Sequence, residues 1–221
     1  MNLVKFNKSI HDYRYILAFD IAKHQTGWAL IDLENINIVS YGTIVTEQGN
    51  EWADFYAKAK AVMDLVRDGV GGQFFIIKER LPNQAGRFST IATLQGLAGA
   101  HAIFDLVCAH SNVDVYDCDG IHSISVKSYF KSLTEKDKPD KADVADAVKH
   151  ITAYYGEFEN YDITDAAACA IALINKKKWN ADIAQKIKDL KSEQKKYKTE
   201  KKRLEVQSEI DRISELKIFG G

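Results

Sequence analysis

Three aspartates stand where a carboxylate is costly or well placed for chemistry. Asp20 sits near the end of the apolar run YILAFDI (15–21), read as a buried strand. An unpaired carboxylate there costs on the order of several kcal/mol in desolvation. Asp162 and Asp165 form an Asp-x-x-Asp at the start of a helical pattern, and positions i and i+3 share one helix face. Asp165 leads directly into AAACAIAL, a helix apolar nearly all round, so its carboxylate stands at the mouth of a buried element and faces the body of the domain. Carboxylates gathered at a strand end and a helix start repel one another. A hard divalent cation resolves the repulsion, because Mg2+ and Mn2+ take oxygen ligands. Two such ions, roughly 3.5–4 Å apart, activate a water and stabilise the leaving oxygen in phosphodiester hydrolysis. Plainer readings stay open: Asp20 as a cap of the turn after its strand, and Asp162 as a first-turn acid that complements the helix dipole.

The elements that must hold these groups follow from periodicity. Strands are expected at 15–21, 26–33 and 36–44, an antiparallel meander with a tight turn at Glu34-Asn35. Residues 51–67 carry Trp52, Phe55, Ala59, Val62, Met63 and Val66 at helical spacing, closed by Gly69, Gly71 and Gly72. A buried strand is expected at 73–77, a loop at 81–87, a long helix at 88–110 and a short fifth strand at 113–116. Helices follow at 121–133, 141–155 and 162–174. The segment 182–216 contains no Gly or Pro and reads as one long helix. Three antiparallel strands followed by strands alternating with helices make a mixed five-stranded α/β sheet flanked by helices, the ribonuclease H-like order, with a long C-terminal helical arm.

The segments ILAFDIAKHQTGWALID (16–32), FFIIKERLPN (74–83), ISVKSYF (124–130), DKADVADAV (140–148) and DITDAAACAIAL (162–173) resemble, in order and spacing, the motifs of the RuvC family of Holliday-junction resolvases. The likeness covers about 14–175, read as the nuclease domain, with 176–221 as a basic helical extension. Length and arm look most like the RuvC-type endonucleases of Gram-positive bacteriophages, lactococcal phages in particular. The resemblance implies a divalent-metal-dependent endonuclease acting on branched DNA as a homodimer, with Mg2+ or Mn2+, two ions per site. Its carboxylates would be Asp20, Glu79, Asp162 and Asp165. Lys127 and Lys141 would contact phosphates, against the plainer reading of solvated helix lysines. Arg87 and Phe88 fall where the family inserts a loop into the junction centre, although Phe88 also reads as the first core residue of its helix.

The second acidic motif departs from the family pattern. The family places its glutamate directly after the strand's isoleucine, whereas here Ile77 is followed by Lys78 and then Glu79. A one-residue shift in a strand sends a side chain to the opposite face. Either the strand end or a bulge re-aims Glu79, which is the assignment adopted, or Lys78 fills the acidic slot and the chain is a non-catalytic junction-binding protein. A ribonuclease acting on hybrids is the alternative enzyme on the same fold.

Charge sharpens the partner. The net charge of −1 hides an acidic body and a basic arm: residues 176–203 hold twelve Lys/Arg and four acids, a balance of +8. The arm also places Ile183, Ile187, Leu190 and Tyr197 at coiled-coil spacing, interrupted by Gln194. Helix packing with a nonspecific phosphate role is expected of it. Cys108, Cys118 and Cys169 are widely spaced within or beside apolar segments, so they read as reduced and buried rather than as zinc ligands. No run of eighteen apolar residues and no N-terminal apolar leader are present, so a cytoplasmic chain without a membrane span is expected.

Overall fold

The computed structural model describes residues 12–81, 90–116, 120–197 and 200–215. The chain divides into two compact units, Met1–Ala172 and Leu173–Gly221.

In the first unit, β1 (Tyr15–Asp20), β2 (Gln25–Asp32), β3 (Ile38–Val45) and β4 (Phe74–Lys78) form one sheet in the order β3-β2-β1-β4. β2 runs antiparallel to both β1 and β3, while β4 runs parallel to β1. α1 (Glu51–Val70) supplies the crossover between β3 and β4. It outlasts the expected end at 67, because Gly71, at φ +63°, provides the left-handed C-cap.

The expected fifth strand at 113–116 is not a strand, so among the described residues the sheet has four strands rather than five. Two hydrogen bonds tie this segment to β4, from Ile76 N to Asp114 O and from Tyr116 N to Ile76 O, both at 2.8 Å. They make a single parallel bridge between Ile76 and Val115. Gly120 then turns at φ +84°, and Ile121 bridges Glu79 instead of opening the next helix.

One sheet face packs on α1 and on α2 (Ile91–Ser111), through Leu17, Phe19, Leu30 and Ile76 against Phe55, Met63, Phe104 and Val107. Phe19 and Phe104 meet edge-on, with ring centroids 4.6 Å apart. By length and composition α2 is apolar enough to cross a membrane, which a search for unbroken apolar runs passes over. Its buried Ala100, Phe104, Val107 and Cys108 belong to this core. Thr90 caps α2, its Oγ1 accepting from Thr93 N at 3.1 Å, so the helix begins at Ile91 rather than 88.

α3 (Ser123–Thr134), α4 (Lys141–Ile151) and α5 (Tyr161–Gln194) follow. A capping box between Asp140 and Asp143 opens α4. α4 stops at Ile151, short of the expected 155, and Ala153 takes a left-handed φ of +48° beyond it. The apolar stretch 166–174 of α5 is buried throughout, as its composition requires.

The second unit holds the rest of α5 and α6 (Glu200–Glu215). The expected helices 162–174 and 182–216 are redistributed. No Gly or Pro interrupts 175–181, so α5 continues to Gln194, and the chain turns there. Gln194 Nε2 reaches Arg203 O at 3.0 Å and Gln207 Oε1 at 3.2 Å, so α6 folds back along the end of α5. Cys108 and Cys169 are both buried, as expected; Cys118 lies outside the described residues.

Candidate active site

Asp20, at the last position of β1, and Asp162 and Asp165, in the first turns of α5, converge: one oxygen from each lies within 4.8 Å of the others. Asp20 is largely desolvated, and its carboxyl is pushed up to about 7, by burial first and then by Glu79, Asp165 and Asp162. Glu79 belongs to the same field. Burial and Asp165 raise its carboxyl, against Lys127, a hydrogen bond with Ser123, and Lys141, which lower it.

Register puts positions 78 and 79 on opposite faces of the sheet. Phe19 pairs with Lys78 across parallel β1 and β4, and Glu79 N donates to Phe19 O at 3.3 Å. Side chains alternate along a strand, so Lys78 shares the face of Phe19, and Glu79 shares the face of Asp20. Lys78 is buried at 2% exposure and forms an ion pair with Asp105 on α2. Glu79 therefore needs no bulge to face the carboxylates, and the lysine does not stand among them.

α5 is set in place by residues whose role was not read from the sequence. Asn160 Oδ1 accepts from Asp162 N at 3.1 Å and Ile163 N at 3.3 Å, capping the helix, while its Nδ2 donates to Thr43 Oγ1 at 2.8 Å on β3. An asparagine two residues before Asp162 was the available signal. Gln25, the first residue of β2, donates from Nε2 to Asp162 Oδ2 at 2.7 Å. Gly27 pairs with Asp20 across β1 and β2, and a Cβ on it would lie 2.1 Å from the Asp162 carbonyl carbon. Neither Gln25 nor Gly27 carries a local signal for this; the contacts exist only in the fold.

Lys141, the first residue of α4, donates from Nζ to Asp165 Oδ2 at 2.9 Å. That hydrogen bond raises its ammonium above the ordinary lysine range. Lys127 on α3 is exposed and close enough to Glu79 to act on it electrostatically. Arg87 and Phe88 lie outside the described residues. Beneath the carboxylates, the buried Cys169 thiol is held well above its usual range, by burial and then by the charges of Glu79, Asp20 and Asp165, so it is inert as a nucleophile.

An all-oxygen donor set of this density, part desolvated and repelling itself, fits a hard divalent cation and excludes soft-metal chemistry at this point. No protein-family model matches the sequence, and no curated protein matches it. Solved structures do. Thermus thermophilus RuvC in complex with a Holliday junction substrate superposes with a TM-score of 0.56 at 13% identity, covering 72% of this chain and 92% of that one. A second Thermus thermophilus RuvC structure gives a TM-score of 0.55 at 16% identity over the same shares. The fold is that of RuvC. On this RuvC fold the carboxylates come from the ends of β1 and β4 and the start of α5, three elements joined by the sheet and by the close contact at Gly27.

Proposed function

We propose that the chain is a divalent-metal-dependent endonuclease that resolves Holliday junctions and other branched DNA by phosphodiester hydrolysis, using Mg2+ or Mn2+. The observation that carries this reading is the convergence of Asp20, Asp162 and Asp165 within 4.8 Å at the ends of β1 and α5. These three and Glu79 would hold the cation. Bound there, it supplies Lewis-acid activation of a water and charge stabilisation at the leaving oxygen. Lys127 and Lys141 flank the carboxylates and bind the phosphates on either side of the scissile bond. Gln25, Asn160 and Gly27 hold Asp162 in place. Arg87 and Phe88 remain assigned to the junction centre on the motif resemblance alone.

Two symmetric cuts across a four-way junction need two sites related by a two-fold axis, which supports a homodimer. The outward side of α2, with Ile91, Ala98, Ala102, Leu106 and Ala109 exposed, is apolar and small enough for close packing of two copies. Length and the basic extension 176–221 support a phage-type enzyme with broad branch selectivity, acting in the host cytoplasm. The pairing of Lys78 with Asp105 on α2 favours the catalytic reading over a non-catalytic junction binder.

Cleavage assays with Mg2+ or Mn2+ on four-way junctions, forks, linear duplex and RNA–DNA hybrids test the reading. Paired incisions near the branch point are expected. Cleavage confined to the RNA strand of hybrids would overturn it.

A further inference from the structure

The second unit carries a row of positive charge that the nuclease site does not use. Lys188 and Lys191 on α5, with Lys195 in the turn that follows, are spaced by three and four residues and lie on one side of the helix. All three are exposed, and none makes an ion pair with another described residue. At 1.5 Å per residue they span roughly 10 Å.

The other sides of the same stretch are committed elsewhere. Ile187, Leu190, Gln194 and Tyr197 form the half-buried seam, and Gln194 on that seam bonds α6. Both acids of the stretch point away from the lysine row and have their own partners. Asp189 Oδ1 accepts from Gln185 Nε2 at 2.8 Å, and Glu193 accepts from the Tyr197 hydroxyl. The stretch is amphipathic in two senses: a half-buried seam, of which Gln194 and Tyr197 bond the start of α6, and a segregated, exposed cationic edge. Dispersed lysines on a solvated helix are usually interleaved with acids at i±3 or i±4, which neutralise them. Here no acid occupies those positions on the lysine side.

We infer that Lys188, Lys191 and Lys195 form a phosphate-backbone contact for duplex DNA, separate from the carboxylate site, which anchors the arms of a branched substrate without reading their sequence. The inference rests on the proposal that the chain acts on DNA. Flexible ammonium groups in a short row suit a phosphate backbone, whose charges recur along each strand and which lysine meets as a point charge. Such contacts supply affinity through counterion release and are independent of sequence.

The test uses the full chain with Lys188→Gln, Lys191→Gln and Lys195→Gln combined, and Lys186→Gln, on the acid-bearing side, as the control. Binding to a four-way junction and to linear duplex is measured by fluorescence anisotropy from 50 to 200 mM salt, with Ca2+ present so that strands stay intact. Loss of three phosphate contacts at about 0.9 each lowers the slope of log K against log salt by about 2.7 for both substrates. The control shifts it by less than about 1. Single-turnover cleavage of the junction at saturating protein is expected to stay within about twofold of the unsubstituted chain, since the substitutions lie outside the carboxylate site. An unchanged slope in the triple variant, with junction cleavage intact, overturns this inference and leaves the nuclease reading standing. An equal loss in the control also overturns it, because the effect would then be general charge. Binding with the expected loss of slope but no cleavage of any substrate by the unsubstituted protein supports the contact and refutes the nuclease reading.

Discussion

Gly27 and Asp162 meet through their backbones: a Cβ on Gly27 would lie 2.1 Å from both the carbonyl carbon and the carbonyl oxygen of Asp162. The start of α5 thus rests directly on β2, opposite Asp20, and this contact sets the separation of the carboxylates. Gly27→Ala should push α5 off the sheet. Overpacking of this kind typically costs about 1–3 kcal/mol, and the loss of metal binding should exceed what that destabilisation accounts for. Chemical denaturation together with Mn2+ titration calorimetry measures both; a variant that keeps full Mn2+ affinity would show that the contact does not position the site.

The Asp20 carboxyl titrates near 7 in the folded protein, against 3.8 for an ordinary aspartate. A cation at this site must displace that proton, so Mn2+ affinity should rise by up to about tenfold per pH unit below 7 and level off above it. The linked stability has the opposite sign. The folded state holds a proton that the unfolded state has released, so the metal-free protein loses stability as pH rises from about 4 to about 7. Asp20→Asn should flatten that decline and abolish cleavage. Melting curves in EDTA from pH 4 to 8 check the first effect, and a junction assay the second.

Lys78 and Asp105 pair on the α2 face of β4, away from the carboxylates. Lys78→Glu should therefore produce no gain of cleavage, since it sets a second acid against Asp105 on the α2 face, away from the carboxylates. Its cost is on the order of 3–5 kcal/mol, as for an uncompensated buried charge. Lys78→Met, which fills a similar volume without charge and leaves the part-exposed Asp105 to solvent, should cost less than Lys78→Glu. Urea denaturation separates the two variants, and increased cleavage by Lys78→Glu would reopen the assignment of Glu79.

His101, buried on α2, is held neutral: burial first, and then the charge of Lys78, lower its imidazole from 6.5 to about 4. A depressed histidine contributes stability that is present above 6.5 and lost as pH falls toward 4. At 1.36 kcal/mol per unit the loss is on the order of 3 kcal/mol. His101→Asn should be less sensitive to acid across that window, whatever its stability at pH 7, and denaturation midpoints at pH 7, 6, 5 and 4 report it.

Lys141 and a bound cation would claim the same carboxylate, because Nζ donates to Asp165 Oδ2 at 2.9 Å. Lys141→Met should tighten Mn2+ binding several-fold while slowing single-turnover cleavage by at least about tenfold. Looser Mn2+ binding in this variant would show that the lysine supports the carboxylate rather than competing for it.

Local pattern made much of this protein legible in its sequence. The unbroken apolar run of β1 and the buried run after Asp165 were enough to place Asp20 at a strand end and Asp162 with Asp165 at a helix mouth, because burial on both faces leaves such carboxylates nowhere else to point. The start of the helix at Lys141 was also placed, and there the structure has the Asp140–Asp143 capping box. The tertiary structure decided what depends on partners distant in the chain. Whether position 78 or 79 faces the site depends on the parallel pairing of Phe19 with Lys78, and no local propensity encodes a register between strands separated by β2, β3 and α1. The roles of Gln25 and Gly27 arise only when α5 docks. The fifth strand shrank to one bridge because a strand exists only as far as its neighbour offers hydrogen bonds. The interruption at Gln194 was visible in the arm, but its meaning, a reversal in which that side chain bonds the returning helix, required the fold.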